Sequence, residues 1–333
     1  MKKVLSLILA LAMVFALVAC GEKQPSNDGN TDGDKPARGN VIMTFGTADT
    51  GGSMYPAGAA VSQVWTNNVQ GVKCNTQTST GSFQNCQDVS TGEVDVAVAT
   101  SDVVLNAYNG TGKFADIGKL DNLRVIGAVY TSVLSGVALK SSGLTYIHEL
   151  LGKRVAVGPA ASATENATLA AFDVMGIDSS NTSLENLGLG DGADSVGDGI
   201  LDAAFGFAGL PIGGQLNLAA TKEIQVLDMT QEEIDKVLAG NAAYIQTKIP
   251  AGTYTGQDND ANTFGVKCLI IVTADMDADL VYDLCKAMNE HTEELAAGNA
   301  LLKDMTDPSF LCTQMPIPLH DGAQKYYSEQ GLI

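Results

Sequence analysis

The feature that most constrains the fold is a repeated alternation of short apolar runs with helical patterns. Residues 41–46 form an apolar run, and a polar turn leads from it to a helical pattern that begins near Pro56. The same order returns at residues 72–78, 94–99 and 154–157. Strands that alternate with helices are typical of α/β proteins with a mostly parallel sheet. The sequence therefore predicts an α/β fold.

Two longer apolar stretches indicate strands that run between two lobes. Residues 123–139 are predicted to contain two strands and to cross from the first lobe to the second, and residues 263–273 are predicted to return. The remainder of the 333-residue chain is long enough for two domains of ordinary size. We therefore expect a body of two α/β lobes.

The N-terminus predicts export and a lipid anchor. Lys2 and Lys3 precede an apolar run, residues 4–19, which is shorter than the roughly 20 residues needed to cross a bilayer. Residues 1–19 are therefore interpreted as a signal peptide. Residues 17–21, LVACG, resemble a bacterial lipobox in which Cys20 becomes lipidated. The alternatives are an uncleaved membrane anchor or an ordinary signal peptide with an incidental cysteine.

Residues 20–39 are predicted to form the lipidated cysteine and a flexible linker, because they contain no large apolar residue. Residues 28–33, DGNTDG, copy the first half of a calcium-binding loop. However, Gly39 occupies the position where such a loop needs a bidentate glutamate. A linker is therefore favoured over a metal site, and neither a metal nor a cofactor is expected elsewhere.

Charge and cysteine content exclude several classes of protein. The formal net charge of −19 argues against nucleic acid or anionic lipid as a partner, and the chain has only three arginines with which to hold a charged ligand. The cysteines beyond Cys20 show no C-x-x-C spacing, which argues against zinc and thioredoxin-like sites; they are Cys74, Cys86, Cys268, Cys285 and Cys312. We expect most of these to be buried apolar residues, with a Cys74–Cys86 disulfide as an open alternative.

Four predicted strand-to-helix turns carry glycine, serine or threonine where the helix begins: residues 50–53, 79–82, 101–102 and 162–165. Helix N-termini present unpaired N–H groups and a partial positive charge, which can hold a carboxylate or phosphate without a cationic side chain. In open α/β sheets, ligands lie at the carboxyl ends of the strands. Together the turns predict a site for a small anion, although helix capping explains each one alone.

No arrangement of residues predicts catalysis. Three histidines are scattered along the chain, and no serine lies in a G-x-S-x-G turn. Residues 188–192, GLGDG, lack a complete dinucleotide-binding motif and are predicted to form a loop before a short helix. An enzyme, such as a lyase or deaminase, remains a lesser alternative, which would need Asp49, Asp102 or Glu165 as the titratable group in the cleft.

The turns lie in longer segments that resemble, in order and spacing, the motifs of TAXI-family solute receptors. These receptors are the extracytoplasmic binding subunits of one class of TRAP transporter. The first segments are residues 46–58, GTADTGGSMYPAG, residues 78–85, TSTGSFQN, and residues 92–110. Further matches are residues 151–158, 202–211, 249–254 and 316–323. The resemblance extends from about residue 41 to the end of the chain.

The resemblance implies a type II periplasmic-binding-protein fold, with two lobes joined by a two-strand hinge and a ligand cleft between them. Residues 40–130 together with 268–333 would form lobe 1, and residues 131–267 would form lobe 2. A small carboxylate such as glutamate or 2-oxoglutarate would favour closure of the lobes, because it binds both at once. A sodium-coupled TRAP-type membrane permease would then receive it. A ligand-sensing lipoprotein that reports to a membrane receptor is an alternative with the same fold.

The resemblance also implies ligand contacts at the helix starts of both lobes. They are Thr50, Gly51, Gly52, Ser53 and Tyr55, then Thr80, Gly81 and Ser82, then Ser101 and Tyr130, then Ser162, Ala163, Thr164 and Glu165, with Gly209 on the cleft floor. One departure matters, because the family has a Gly-Ser-Gly-Thr-Glu turn where this chain has Ala161 and Ala163. Alanine restricts the backbone, so the approach of a ligand to the second lobe is expected to differ.

Overall fold

A computed structural model describes residues 39–48, 50 and 52–333. The predicted signal peptide, the lipidation site at Cys20 and most of the predicted linker lie outside the described residues, as do Asp49 and Gly51 of the first turn. Within the described ranges, no helix is long and apolar enough to cross a membrane.

A ten-stranded mixed sheet forms the centre of the described chain. Its strands are β1 (Val41–Gly46), β2 (Val72–Gln77), β3 (Val96–Thr100), β4 (Leu123–Leu139), β5 (Arg154–Ala156), β6 (Ser183–Glu185), β7 (Ala203–Ala208), β8 (Ile224–Val226), β9 (Ile245–Ile249) and β10 (Ala261–Thr273). The main path runs β2-β1-β3-β10-β4-β7-β5-β6, with β8 beside β4 and β9 beside β10.

Helices follow the strands in the alternation that the sequence predicts. They are α1 (Met54–Asn68), α2 (Ser82–Thr91), α3 (Ser101–Asn109), α4 (Ala163–Val174), α5 (Leu189–Gly197), α6 (Gly213–Thr221), α7 (Gln231–Gly240), α8 (Ala278–Glu290), α9 (Thr292–Gly298), α10 (Pro308–Cys312) and α11 (Asp321–Glu329). Short 3-10 segments lie at Gly112–Phe114, Lys140–Ser142, Ile147–Leu150 and Ala300–Thr306. The α/β class is therefore confirmed.

β4 and β10 run through the whole sheet and divide it into two halves. They pair antiparallel, from Leu123 opposite Thr273 to Val133 opposite Gly265. β3 pairs with β10 at residues 268–271, whereas β7 pairs with β4 at residues 133–138. We call β1, β2 and β3 with their helices the first half, and β5 to β9 with their helices the second half.

The prediction of two strands within residues 123–139 is wrong, because β4 is a single strand of 17 residues. It stays extended because β10 satisfies its hydrogen bonds in the first half and β7 does so in the second. The β10–β4 register shifts between Cys268 and Leu269 and again between Ile270 and Ile271, and β4 continues through both shifts. One continuous strand therefore connects the halves.

Each half has its own apolar core. In the first half Trp65 stacks on Phe45 with ring centroids 5.4 Å apart, and its Nε1 donates to the carbonyl oxygen of Leu284 at 3.0 Å. In the second half Phe172 meets Phe205 edge to face at 5.4 Å. Because all four aromatic rings are buried, each half contains the apolar interior that a compact layer of sheet and helix requires.

Two helix predictions need correction. The pattern after Asp277 predicts one long helix through Leu295, and Asp277 does cap its start by accepting from the Leu280 N–H at 2.7 Å. The helix divides, however, into α8 and α9, because the backbone of His291 leaves the helical region at φ −114° and ψ 20°. Gly190 and Gly192, predicted to lie in a loop, are part of α5.

The five described cysteines are buried and free, so the alternative of a Cys74–Cys86 disulfide is wrong for this structure. Burial raises the pKa of Cys74 to about 11 and that of Cys268 to about 12. Thiols in such surroundings behave as small apolar residues. The expectation that most of these cysteines serve packing is therefore confirmed.

Candidate functional site

The carboxyl ends of β1, β2 and β3 meet at one edge of the first half, because β1 pairs in parallel with both neighbours. Side chains then tie the turns that follow these strands. Ser79 Oγ donates to the carbonyl oxygen of Thr47 at 2.9 Å, and Ser82 Oγ accepts from the Thr100 N–H at 3.0 Å. The second predicted turn is therefore tied to the end of β1 on one side and to the end of β3 on the other.

Only one of the four predicted turns is capped by the side chain of its N-cap residue. Ser162 accepts from the Glu165 N–H at 3.1 Å at the start of α4. The N-cap residues of α1, α2 and α3, which are Ser53, Gly81 and Thr100, make no side-chain cap. Helix capping therefore explains Ser162, whereas the N-cap residues of α1 and α2 leave backbone N–H groups to another acceptor. At α3 the carboxylate of Asp102 accepts from the N–H groups of Asp102 and Val103.

The predicted contacts in the first half differ in accessibility. Thr80 is exposed, and its N–H and hydroxyl both donate to Gln84 Oε1, at 2.9 and 3.0 Å. Ser82 is buried, and its hydroxyl is engaged with Thr100. Thr50 is exposed, Gly52, Ser53 and Tyr55 are half-buried, Gly81 and Ser101 are buried, and Gly51 is not described. Ser53 is therefore the first-half serine best placed to contact a ligand directly.

The turn between β5 and α4 is held by its own side chains. Thr164 Oγ1 accepts from the Phe207 N–H at 3.2 Å, which joins this turn to the end of β7. Glu165 Oε2 accepts from the Ala161 N–H at 2.8 Å, and Asn186 Nδ2 donates to Glu165 Oε1 at 2.9 Å. The polar side chains of this turn therefore shape its backbone.

Ala161 adopts a left-handed backbone with φ 61°. Non-glycine residues pay roughly 1–2 kcal/mol for this conformation. The other alanine of this turn, Ala163, is the first residue of α4 and has no such strain. At Ala161 the turn therefore has the backbone conformation that glycine favours, although the residue is alanine. Of the two alanines that replace glycine in the TAXI pattern, only Ala161 carries this strain.

Four polar contacts join the halves beside these turns, and one of them runs from the Ser101 hydroxyl to the carbonyl oxygen of Ala243 at 3.5 Å. Asn166 Nδ2 on α4 donates to Asp102 Oδ2 on α3 at 3.0 Å, and the hydroxyl of Tyr244 donates to the same oxygen at 3.4 Å. Lys113 Nζ lies 2.7 Å from Glu165 Oε2. The start of α3 therefore faces the start of α4, and the third and fourth predicted turns lie close together.

The two carboxyl groups at this boundary differ in their electrostatics. Asp102 is fully buried, and burial raises its pKa although Thr100 and Asn166 stabilise the charge by hydrogen bonds. Burial also raises the pKa of Glu165, but hydrogen bonds from Lys113, from the Ala161 N–H and from Asn186 outweigh it and leave that pKa lowered. Glu165 is therefore the firmly ionised member, and Asp102 is the more easily protonated one.

Tyr130 and Gly209 lie together where the halves meet, and both are buried. A Cβ on Gly209 would lie 3.3 Å from the Tyr130 ring and would clash with Leu301 Cδ1. Leu301, which belongs to Ala300–Thr306, therefore covers the predicted cleft floor. Burial, assisted by Cys268, raises the pKa of Tyr130 well above its usual value. A ligand would reach this floor only after Leu301 moves.

Sequence reasoning missed Lys113, Asn166 and Tyr244. Lys113 offered a signal, because it is one of only 19 basic residues set against 38 acidic ones. Asn166 directly follows the fourth turn, so its position was a weaker signal. Tyr244 lies far from every predicted turn along the chain, and only the fold brings it to Asp102.

Solved structures of two proteins resemble this fold. PhnD1 from Prochlorococcus marinus, in complex with methylphosphonate, matches with a TM-score of 0.54 and 10% identity over 88% of this chain and 99% of that chain. MatC from Rhodopseudomonas palustris, with bound malate, matches with a TM-score of 0.54 and 12% identity over 79% of this chain and 89% of that chain. At such identities the likeness concerns the fold alone, and it confirms the predicted type II periplasmic-binding-protein fold.

A family model matches residues 45–331, which include the four turns, both crossing strands and the last helix. That range covers nearly all of the described chain. The chain therefore belongs to the NMT1-like family.

Proposed function

We propose that this chain is an extracytoplasmic solute-binding protein that captures a small organic solute between its two halves. The observation that carries this proposal is the hydrogen bond from Asn166 to Asp102, because it brings helix starts of both halves to one place. A solute held there would contact both halves at once. Closure would then be favoured by the solute's higher affinity for the closed arrangement, without any chemical step.

The pairing register of β4 and β10 supports the predicted lobe boundaries. Tyr130 pairs with Cys268, and Thr131 pairs with Lys267. The predicted boundaries, after residue 130 and before residue 268, therefore lie directly opposite each other on the two paired strands. Residues 40–130 with 268–333 would move against residues 131–267 by small changes in these two strands.

A small carboxylate, such as glutamate or 2-oxoglutarate, is the solute class that we favour. The N-cap residues of α1 and α2 make no side-chain caps, so N–H groups there could receive an anion. Arg154 is already paired with Asp202 at 2.8 Å, so it is not available as a clamp for the ligand. Relatives in fold hold malate and methylphosphonate, which are also small anions.

The resemblance to TAXI receptors favours a TRAP-type permease as the partner that receives the solute, and a lipid anchor at Cys20 would keep the protein beside it. Cys20→Ser should move the protein from the membrane fraction to the soluble fraction. In membrane vesicles that contain the permease, solute uptake should need this protein and a sodium gradient, and it should not need ATP. Uptake that needs ATP would contradict the TRAP assignment.

A thermal-shift screen with amino acids, dicarboxylates, keto acids and aromatic acids tests solute binding. A ligand at a hundred times its dissociation constant should add about 2.7 kcal/mol to the free energy of unfolding. A carboxylate that stabilises the protein and is recovered unchanged supports the proposal. A ligand that is consumed supports an enzyme instead, and stabilisation by neutral or cationic compounds alone contradicts the carboxylate assignment.

A further inference from the structure

A cavity of about 400 Å³ lies between the halves. Its walls include Ser101 and Leu105 of α3, Ala243 and Ile245 of the second half, Lys267 of β10, and residues 314–316. Of these, only Ser101 belongs to the predicted contacts of the solute. The volume is within the range of about 300–1,000 Å³ that is typical of small-molecule sites.

Lys267 places a buried cation at this cavity. The residue is only 7% exposed, although it is charged and lies in the middle of an apolar strand. Its Nζ donates to the carbonyl oxygens of Phe310 and Thr313, at 2.9 and 3.0 Å, and lies 4.5 Å from the centre of the Phe310 ring. An ammonium group has three N–H donors, so one remains for a ligand.

No carboxylate among the described residues lies within ion-pair distance of Lys267. Burial lowers the pKa of this lysine, while charge interactions with Cys312, Asp307 and Asp304 act in the opposite direction. Buried charges in proteins are normally paired, because an unpaired one is costly to remove from water. An anion in the cavity would supply the missing partner.

One further feature points to a ligand. Ser101 also lines the cavity, but its hydroxyl donates to the carbonyl oxygen of Ala243 at 3.5 Å, and the carboxylate of Asp102 accepts from N–H groups at the start of α3, so this helix start is already occupied. Gln314, which lines the cavity, has a left-handed backbone with φ 54°. Such strain in a non-glycine residue is concentrated at ligand-binding and other functional sites. The remaining walls are mainly apolar, with Leu105, Ile245 and Met315 among them.

We propose that this cavity is a second binding site, for a monocarboxylate with a short apolar body. The carboxylate pairs with Lys267. The apolar body packs against Leu105, Ile245 and Met315. This site shares only Ser101 with the predicted contacts of the solute, so binding at the two sites can be measured separately.

The test is a ¹⁹F NMR titration of the purified protein with 4-fluorobenzoate and with its neutral analogue, 4-fluorobenzamide. The wild type should bind the carboxylate on the order of tenfold more tightly than the amide, because a charged hydrogen bond is stronger than a neutral one. Lys267→Met should remove this preference. Lys286→Met, which neutralises an exposed lysine on α8, should bind both probes as the wild type does.

Lys267 also has a structural role at the end of α10, because its Nζ donates to the carbonyl oxygens of Phe310 and Thr313, so Lys267→Met could unfold that segment. Ala243→Phe is the second variant, because it fills the cavity and keeps the lysine. It should abolish binding of both probes with an unchanged melting temperature. Equal binding of the two probes by the wild type, or undiminished binding by Ala243→Phe, overturns the proposal. Ser53→Ala should bind the carboxylate probe as the wild type does and should bind the solute more weakly, so a negative result at one site can be distinguished from a negative result at the other.

Discussion

Asn166 Nδ2 donates to Asp102 Oδ2 at 3.0 Å, although 64 residues separate the two in sequence. The donor belongs to the second half and the acceptor to the first. Tyr244, also in the second half, donates to the same oxygen. Part of the burial of Asp102 therefore comes from the opposite half, so the charge state of Asp102 and the contact between the halves are linked.

This link predicts that the stability of the protein depends on pH through the titration of Asp102. Its pKa is raised above the ordinary 3.8 by burial, so the folded state binds more protons than the unfolded state between these two values. Its contribution to stability is therefore greatest at low pH and is lost as the pH rises. Relative to Asp102→Asn, the wild type should become progressively more stable as the pH falls through the raised pKa of Asp102 toward 3.8, measured by thermal unfolding. A constant difference in melting temperature would contradict this linkage.

The ion pair between Lys113 and Glu165 should hold the halves together. Lys113→Met is expected to cost about 0.2–1 kcal/mol, because the pair is partly solvated. The loss should appear as a larger radius of gyration by small-angle X-ray scattering. Lys236→Met is the matched control, since its pair with Glu232 has the same distance of 2.7 Å but lies within one helix. Equal expansion in both variants would rule out a role in closure.

Ser53 and Ser162 are both N-cap serines, but they should respond differently to substitution by alanine. Ser162→Ala should destabilise the protein by about 1 kcal/mol, because Ser162 caps α4. Ser53→Ala should leave stability almost unchanged, since Ser53 makes no cap, and should weaken solute binding instead. Chemical denaturation and calorimetric titration with a solute from the screen measure the two effects. Equal destabilisation by both would assign Ser53 a structural role.

The α/β fold could be predicted from the sequence because its signals are local. The helices that follow β1, β2 and β3 and the cap at Asp277 depend on neighbouring residues, and the described residues show each of these helices and the cap. The length of β4 was harder to predict, because partners in both halves keep it extended. The break at His291 was missed because the apolar spacing continues through it.

The contacts of the candidate site were less predictable, because they form between residues that are distant in sequence. The helix starts at Ser53 and Ser101 could be identified from their turns, but the partners of Asp102 and Glu165 could not. Lys267 stands as a lone cation in the apolar strand β10, which is a signal that could have been read. Its cavity becomes evident only when both halves are assembled around it.

The alanine at position 161 gives a test of backbone strain in the second half. Because Ala161 has φ 61°, Ala161→Gly should stabilise the protein by about 0.5–1 kcal/mol. This value is the free energy gained when the backbone strain is relieved, reduced by the entropic cost of ordering glycine, which is more flexible in the unfolded chain. Ala163→Gly, two residues later at the start of α4, should destabilise it by about the same amount. Urea denaturation of both variants measures the difference. Destabilisation by Ala161→Gly would show that the left-handed turn carries no strain.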